Sequence, residues 1–278
     1  MRHPKSTEIP KRRLGRTGLD VSIMGLGGEG LLRTFGNEKA ADALINTAID
    51  AGINYLESAR AYAGSEEYYG AALRDRRDSI YLASKSHARD KAGALKHLHE
   101  TLTNMKTDHL DVWQVHDVRT EGDIEEIFGP SGAIEAFVEA KKEGKVRFIG
   151  VTGHHEPSVI KRCLELFDFD TVLIPVNPAE PAYKCFLEEV VPVAGAKDVG
   201  VVGMKVFLRG RLDAPKKLLF SYALSQPIST AVVGCDTVEQ LKENIEGAIA
   251  YQPLKYREVQ RLHEIVAPYA RDLMYYKP

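Results

Sequence analysis

Eight times along this chain a short, unbroken apolar stretch is followed by a longer segment whose apolar residues recur at helical spacing. The apolar stretches cover 22–27, 54–58, 79–85, 109–116, 146–152, 171–177, 200–206 and 229–235. A strand without polar alternation is buried on both faces, which a parallel sheet sheathed in helices requires. Between the first two, Asn37 stands as an N-cap, Ala41, Leu44, Ile45, Ala48 and Ile49 fall on one helical face, and Gly52 stops the run. Further helices are expected from about Ser65, over 90–105 and 131–143, from Pro157, from Pro181 to Ala196, and over 214–225 and 237–250. Eight such units predict an α/β fold, the (β/α)8 TIM barrel. Its 278 residues fit that architecture as one domain over 1–278.

Three stretches lie outside the count. Lys11 to Met24, with turn residues at Leu14-Gly-Arg-Thr-Gly18, reads as a β-hairpin capping one end of the barrel. A helix near Tyr256–Ala267 and the tail Tyr275-Tyr276-Lys277-Pro278 are expected to pack over an end. Gly27-Gly28-Glu29-Gly30 reads as a glycine-rich turn after the first strand, and 117–130 as a loop long enough to shape a pocket.

Composition removes several classes of function. A net charge of −2 with both signs dispersed leaves no footprint for nucleic acid or an anionic membrane. No apolar run is long enough to span a bilayer, and the start has no apolar signal core, so a cytoplasmic protein is expected. Cys163, Cys185 and Cys235 have no paired spacing and read as free buried thiols.

Four consecutive strands end on side chains able to do chemistry: Glu57 with Tyr62 five residues on, Lys85, His116 and Thr152. In an α/β barrel the C-terminal strand ends line one mouth, so these groups converge where such folds carry their sites. An ammonium beside a phenol favours its ionised form, a carboxylate keeps that ammonium charged, and an imidazole can orient a carbonyl oxygen. Glu57, Lys85, Tyr62 and His116 together suit protonation of an alkoxide as it forms. A metal-dependent hydrolase would instead use His116, His154, His155 and Glu57; the spacing matches no zinc signature, and no metal is expected.

These motifs resemble the aldo-keto reductase superfamily over nearly the whole chain. The matching segments include Leu14-Gly-Arg-Thr-Gly18, Gly52-Ile-Asn-Tyr-Leu-Glu57 through Tyr62, Ala83-Ser-Lys85, Asp108-His-Leu-Asp-Val-Trp-Gln-Val-His116 and Gly144-Lys-Val-Arg-Phe-Ile-Gly-Val151. The resemblance implies NADP(H) or NAD(H) as cofactor, a small carbonyl or alcohol substrate, Tyr62 as general acid, Lys85 as its electrostatic partner and His116 as the orienting group. It further assigns Gly27, Gly28, Thr152, Gly153, Asn177, Met204, Lys205, Arg209, Gly234, Asp236, Gln240 and Asn244 to the cofactor. Thr152 and Asn177 are the candidates for its carboxamide, and Met204 takes the place of the aromatic residue that stacks on nicotinamide.

The chain departs from the family pattern at further places, with Thr152-Gly153 standing where many relatives carry Ser-Asn. Glu57 stands where the family has aspartate, which raises the alternative of a nucleotide-binding sensor or a redox-neutral member. Gly234 and Gln240 replace the cations that hold a 2′-phosphate, Asp236 lies beside them, and Thr237 with Gln240 forms a capping box.

Overall fold

The computed structural model describes residues 8–278. Ten strands occur in the order β1 (Lys11–Arg13), β2 (Asp20–Ser22), β3 (Met24–Gly30), β4 (Tyr55–Glu57), β5 (Tyr81–Ser86), β6 (Leu110–Val115), β7 (Val146–Thr152), β8 (Thr171–Pro175), β9 (Gly200–Met204) and β10 (Thr230–Cys235). The strands β3 to β10 close into a parallel barrel in sequence order, with β10 returning to β3. It is a (β/α)8 barrel.

Register sets which residues face inward. Ala83 pairs with Val112 and Lys85 with Gln114 across β5 and β6, while Leu26 pairs with Leu56 and Gly27 with Glu57 across β3 and β4. With a side-chain period of two, Tyr55, Ala83, Val112, Leu173, Val202 and Val232 form an apolar layer inside the barrel. Glu57, Lys85 and Gln114 make the next layer toward the mouth, and all three are buried. Outward residues such as Trp113, Ile149 and Val151 join the larger core beneath the helices.

The antiparallel hairpin β1–β2 closes the other end. Leu14, Leu19 and Val21 belong to the interior cluster of the barrel. The Arg16 amide donates to the Asp198 carbonyl at 2.6 Å, and the Arg12 guanidinium to the carbonyls of Ile228 and Leu224 at 2.8 and 2.9 Å. The hairpin thus covers the end of the barrel opposite the C-terminal strand ends.

Three expectations are corrected. Residues 27–30 continue β3 rather than turning, because β10 pairs with it as far as Gly30 through an irregular register. The segment 117–130 contains a helix, Glu121–Phe128, started by a reciprocal cap: the Asp123 amide donates to Thr120 Oγ1, and the Thr120 amide to Asp123 Oδ2. The helix expected from Pro181 to Ala196 is broken into a 3₁₀ turn, Glu180–Ala182, and two short helices, Phe186–Glu189 and Val191–Ala196. Pro181 and Pro192 offer no amide to continue a ladder, and Lys184 adopts φ +50° between the first two pieces. The three cysteines are free and buried, and none of the described helices is long and apolar enough to cross a membrane.

Gly200 packs against the hairpin so closely that an added Cβ would lie 2.7–2.9 Å from Leu14, including its backbone carbon. Gly200→Ala should cost about 1–3 kcal/mol by overpacking, read as a lower urea midpoint at unchanged slope. An unchanged midpoint would mean that the hairpin yields freely.

Candidate active site

Two cavities open at the barrel mouth and share a wall. The larger, about 920 Å³, runs from Gly27 and Glu57 along the loop after β9 to Asp236, Gln240 and Asn244. The smaller, about 630 Å³, is walled by the loops after β5, β6 and β7 and by the tail from Tyr275 to Pro278. Glu29, Tyr62, Met204, Lys205, Arg209 and Tyr275 border both. Tyr62 therefore stands where the two spaces meet.

Beneath it, Glu57 is in direct contact with Lys85, so the longer side chain still reaches its partner. The Lys85 ammonium also donates to the Ser58 carbonyl at 2.8 Å and lies 4.7 Å from the centroid of the Tyr62 ring. Arg33 approaches the same ring to 4.7 Å, and the His116 ring meets it edge-on, with centroids 5.9 Å apart. Burial pulls the Lys85 ammonium well below the usual lysine range, with Lys205 and Arg33 acting in the same direction; contact with Glu57 favours the charged form.

The sequence reading expected an adjacent ammonium to ease ionisation of the Tyr62 phenol. The net shift is the other way: burial pushes the phenol up, aided by Glu29 and opposed by Arg33. Lys85 faces the ring and is neutralised by Glu57, so desolvation dominates. Burial, with Lys85, His87 and His154, holds His116 well below the ordinary histidine range, and its Nδ1 is buried with no partner. It is a neutral ring, available for one further hydrogen bond.

The remaining sequence candidates divide. Gly27, Met204, Lys205, Arg209, Gly234, Asp236, Gln240 and Asn244 line the larger cavity, and Thr152 lines the smaller. Gly28, Gly153 and Asn177 line neither. Gly28 lets β3 lie against Ser65 and Ser58, and Gly153 packs under Ile160 and the Val118 carbonyl. Asn177 spends its amide on the Tyr276 hydroxyl at 2.8 Å and on the Lys205 carbonyl at 3.4 Å, while its oxygen accepts from the Ala179 amide. A Cβ at Gly234 would meet the Glu29 backbone at 2.8–2.9 Å, so a lysine there would require β3 to move. Gln240 accepts from the Asp236 amide rather than from Thr237, and Thr237 Oγ1 accepts from the Gln240 amide, so the expected cap is displaced by one residue on one side.

Asp213 and Lys216, on the wall of the larger cavity, were given no role by the sequence, and the tail, expected to pack over an end, is a built wall of the smaller one. Lys277 is fully buried on Glu180 at 2.8 Å and also donates to the Tyr183 and Lys184 carbonyls. The Tyr276 hydroxyl donates to the other Glu180 oxygen at 2.5 Å. Two tyrosines followed by a lysine at 275–277 were the only signal of this anchor.

Among the described residues, Asp117, His154 and His155 form a cluster with potential ligand atoms within 4.8 Å of one another. His154 Nδ1 lies 3.5 Å from Asp117 Oδ1, and Arg119 occupies Asp117 Oδ2 at 2.8 Å. The quartet of His116, His154, His155 and Glu57 does not form, because Glu57 is committed to Lys85.

The aldo/keto reductase family profile matches residues 23–219, which include β3 to β9 and the four side chains around Tyr62. The chain belongs to the aldo/keto reductase family. This aldo/keto reductase is 30% identical to the uncharacterized oxidoreductase YqkF of Bacillus subtilis, over 86% of this chain and 91% of that protein. It is 27% identical to L-galactose dehydrogenase of Arabidopsis thaliana, over 89% and 91%. The holo form of aldo-keto reductase AKR11C1 from Bacillus halodurans superposes with a TM-score of 0.79 at 26% identity, covering 93% of this chain and 96% of that one.

Burial draws the His154 pKa down to about 3, helped by Lys205 and opposed by Asp117, and burial also lowers His155 and His116. In the unfolded chain these rings protonate near about 6.5. Between pH 7 and 5 the unfolded state therefore binds more protons than the folded one, and stability falls as pH falls. Urea midpoints at pH 7 and pH 5 should show this loss, and His154→Gln should reduce it. Equal midpoints in the unaltered protein would contradict the neutral-ring assignment.

Proposed function

We propose that the protein is a nicotinamide-dependent oxidoreductase that interconverts a small carbonyl compound and its alcohol, with Tyr62 as the general acid. The observation that carries this reading is the place of Tyr62, on the shared wall of the two cavities, with His116 at its edge and the Lys85 ammonium on its face.

The larger cavity suits a dinucleotide in volume and in donor set. Its volume is about 920 Å³, and its wall includes Asn244, whose Oδ1 is buried with no partner while its amide donates to Cys235 Sγ at 3.4 Å. A ligand N–H would satisfy that oxygen. Met204, Arg209, Asp236, Gln240 and Asn244 would hold the cofactor, and Thr152 would reach it from the neighbouring space. When bound, the nicotinamide supplies or accepts the hydride.

The side chains supply the rest. A phenol pushed upward by burial is fully protonated at neutral pH, as a general acid must be before the reaction. As charge grows on the carbonyl oxygen, the Tyr62 hydroxyl gives up its proton to it. The neutral His116 ring directs that oxygen toward Tyr62, and Lys85, fixed by Glu57 and the Ser58 carbonyl, stabilises the phenolate left behind. The family name and a relative called a dehydrogenase support hydride chemistry in either direction.

Tyr62→Phe should lower kcat by about 10²- to 10⁴-fold while calorimetry shows retained binding of NADPH or NADH. Undiminished turnover would end the assignment of the acid. Failure of the unaltered protein to bind either nucleotide would remove the reading as a whole.

A further inference from the structure

Almost every cation on the wall of the smaller cavity is already matched. Lys85 is on Glu57, Arg119 on Asp117 and Lys277 on Glu180, while Arg33 at 2.9 Å and Arg209 at 3.5 Å share Glu29. Arg89 binds Asp123 at 2.8 Å and also braces the carbonyls of His116 and Asp117, so it supports the loop rather than facing a ligand. Lys205 is different: its ammonium makes no hydrogen bond and no ion pair with any described residue. It lies 5.2 and 5.7 Å from the ring centroids of Tyr276 and Tyr275, whose faces attract a cation but do not neutralise it.

The position of this ammonium can be read from the groups that feel it. Lys205 borders both cavities, and its charge acts on Lys85, His154 and His155, all of which line the smaller space. Burial lowers its own pKa to about 8; Glu29 and Asp117 pull against that shift, but both carboxylates are already engaged by arginines. A half-buried ammonium without a counter-ion is a costly arrangement that an anionic ligand relieves. The walls of the smaller cavity are otherwise polar and aromatic, and Met204, Ala61 and Pro278 are their only aliphatic members.

We infer that Lys205 recognises a carboxylate in the smaller cavity, and that the substrate class is a carbonyl compound bearing a carboxylate. The inference rests on the reductase reading for its chemistry and on Lys205 alone for its charge. Because Lys205 also borders the larger cavity, the same anion chemistry has a second source, the pyrophosphate of a dinucleotide.

The test compares ω-oxo carboxylates from glyoxylate to 6-oxohexanoate with their methyl esters, in the unaltered protein, Lys205→Met and Lys205→Arg, at saturating nucleotide. At least one acid should exceed its ester tenfold or more in kcat/KM, chiefly through KM. That ratio should collapse toward one in Lys205→Met and be largely restored in Lys205→Arg. Acids and esters used equally by the unaltered protein overturn the inference. So does a tenfold loss of nucleotide affinity in Lys205→Met with an unaltered acid-to-ester ratio, which assigns the residue to pyrophosphate. Calorimetry of unreactive butanoate and butanamide on the nucleotide complex gives a readout without turnover. Absence of butanoate binding overturns the carboxylate site, whereas Lys205-dependent binding with no turnover of any aldehyde supports it and points instead to failure of the reductase reading.

Discussion

The contact between Glu57 and Lys85 is the condition on which the mouth of this barrel depends. Neither charge could remain alone at that depth, because removing one partner of a buried pair typically costs about 3–5 kcal/mol. Together they form a polar layer directly above six apolar residues contributed by alternate strand positions. The pair fixes the ammonium by a second bond to the Ser58 carbonyl, and the ammonium in turn lies against the Tyr62 ring. Glu57 and Lys85 are strand residues, which move less than loops; His116 follows directly on β6, and Tyr62 comes from the segment after β4.

Much of this was legible in the sequence because it follows from period and position. Uniform apolar stretches separated by helical patterns specify a buried parallel sheet, and strand-terminal Glu57, Lys85 and His116 then fall at one mouth whatever the details. Boundaries were less legible where a neighbouring element decides them. Gly27 to Gly30 looks like a turn in isolation, yet β10 recruits it into the sheet. Thr120 and Asp123 form a cap that is plain once the helix is seen, but the short apolar pattern after it gives little warning. Asn177 has the right side chain at the right strand end for a ligand contact, and the distant Tyr276 takes it instead. No local reading could anticipate a partner 99 residues away.

The direction of the Tyr62 shift has a similar origin. Sequence reasoning weighs the charges that neighbours bring, whereas the folded site also imposes desolvation, and here desolvation is the larger effect. The same competition lowers His116, His154 and Lys205. A mouth crowded with basic groups therefore carries less positive charge than its residues imply: the imidazoles are neutral and every guanidinium group reaches a carboxylate, Arg33 and Arg209 sharing Glu29. Among the described residues of this wall, Lys205 is the cation left without any carboxylate in contact.

The only tryptophan stands apart from all of this. Trp113 lies three residues before His116 on β6 but points outward, stacked on Phe137 with ring centroids 3.7 Å apart, and it lines neither cavity. Its environment is the seam between the barrel and the helix Ala133–Lys142. Its emission therefore reports directly on that seam, changing when the helical layer separates from the barrel, whereas a ligand at the mouth acts on it only across a distance.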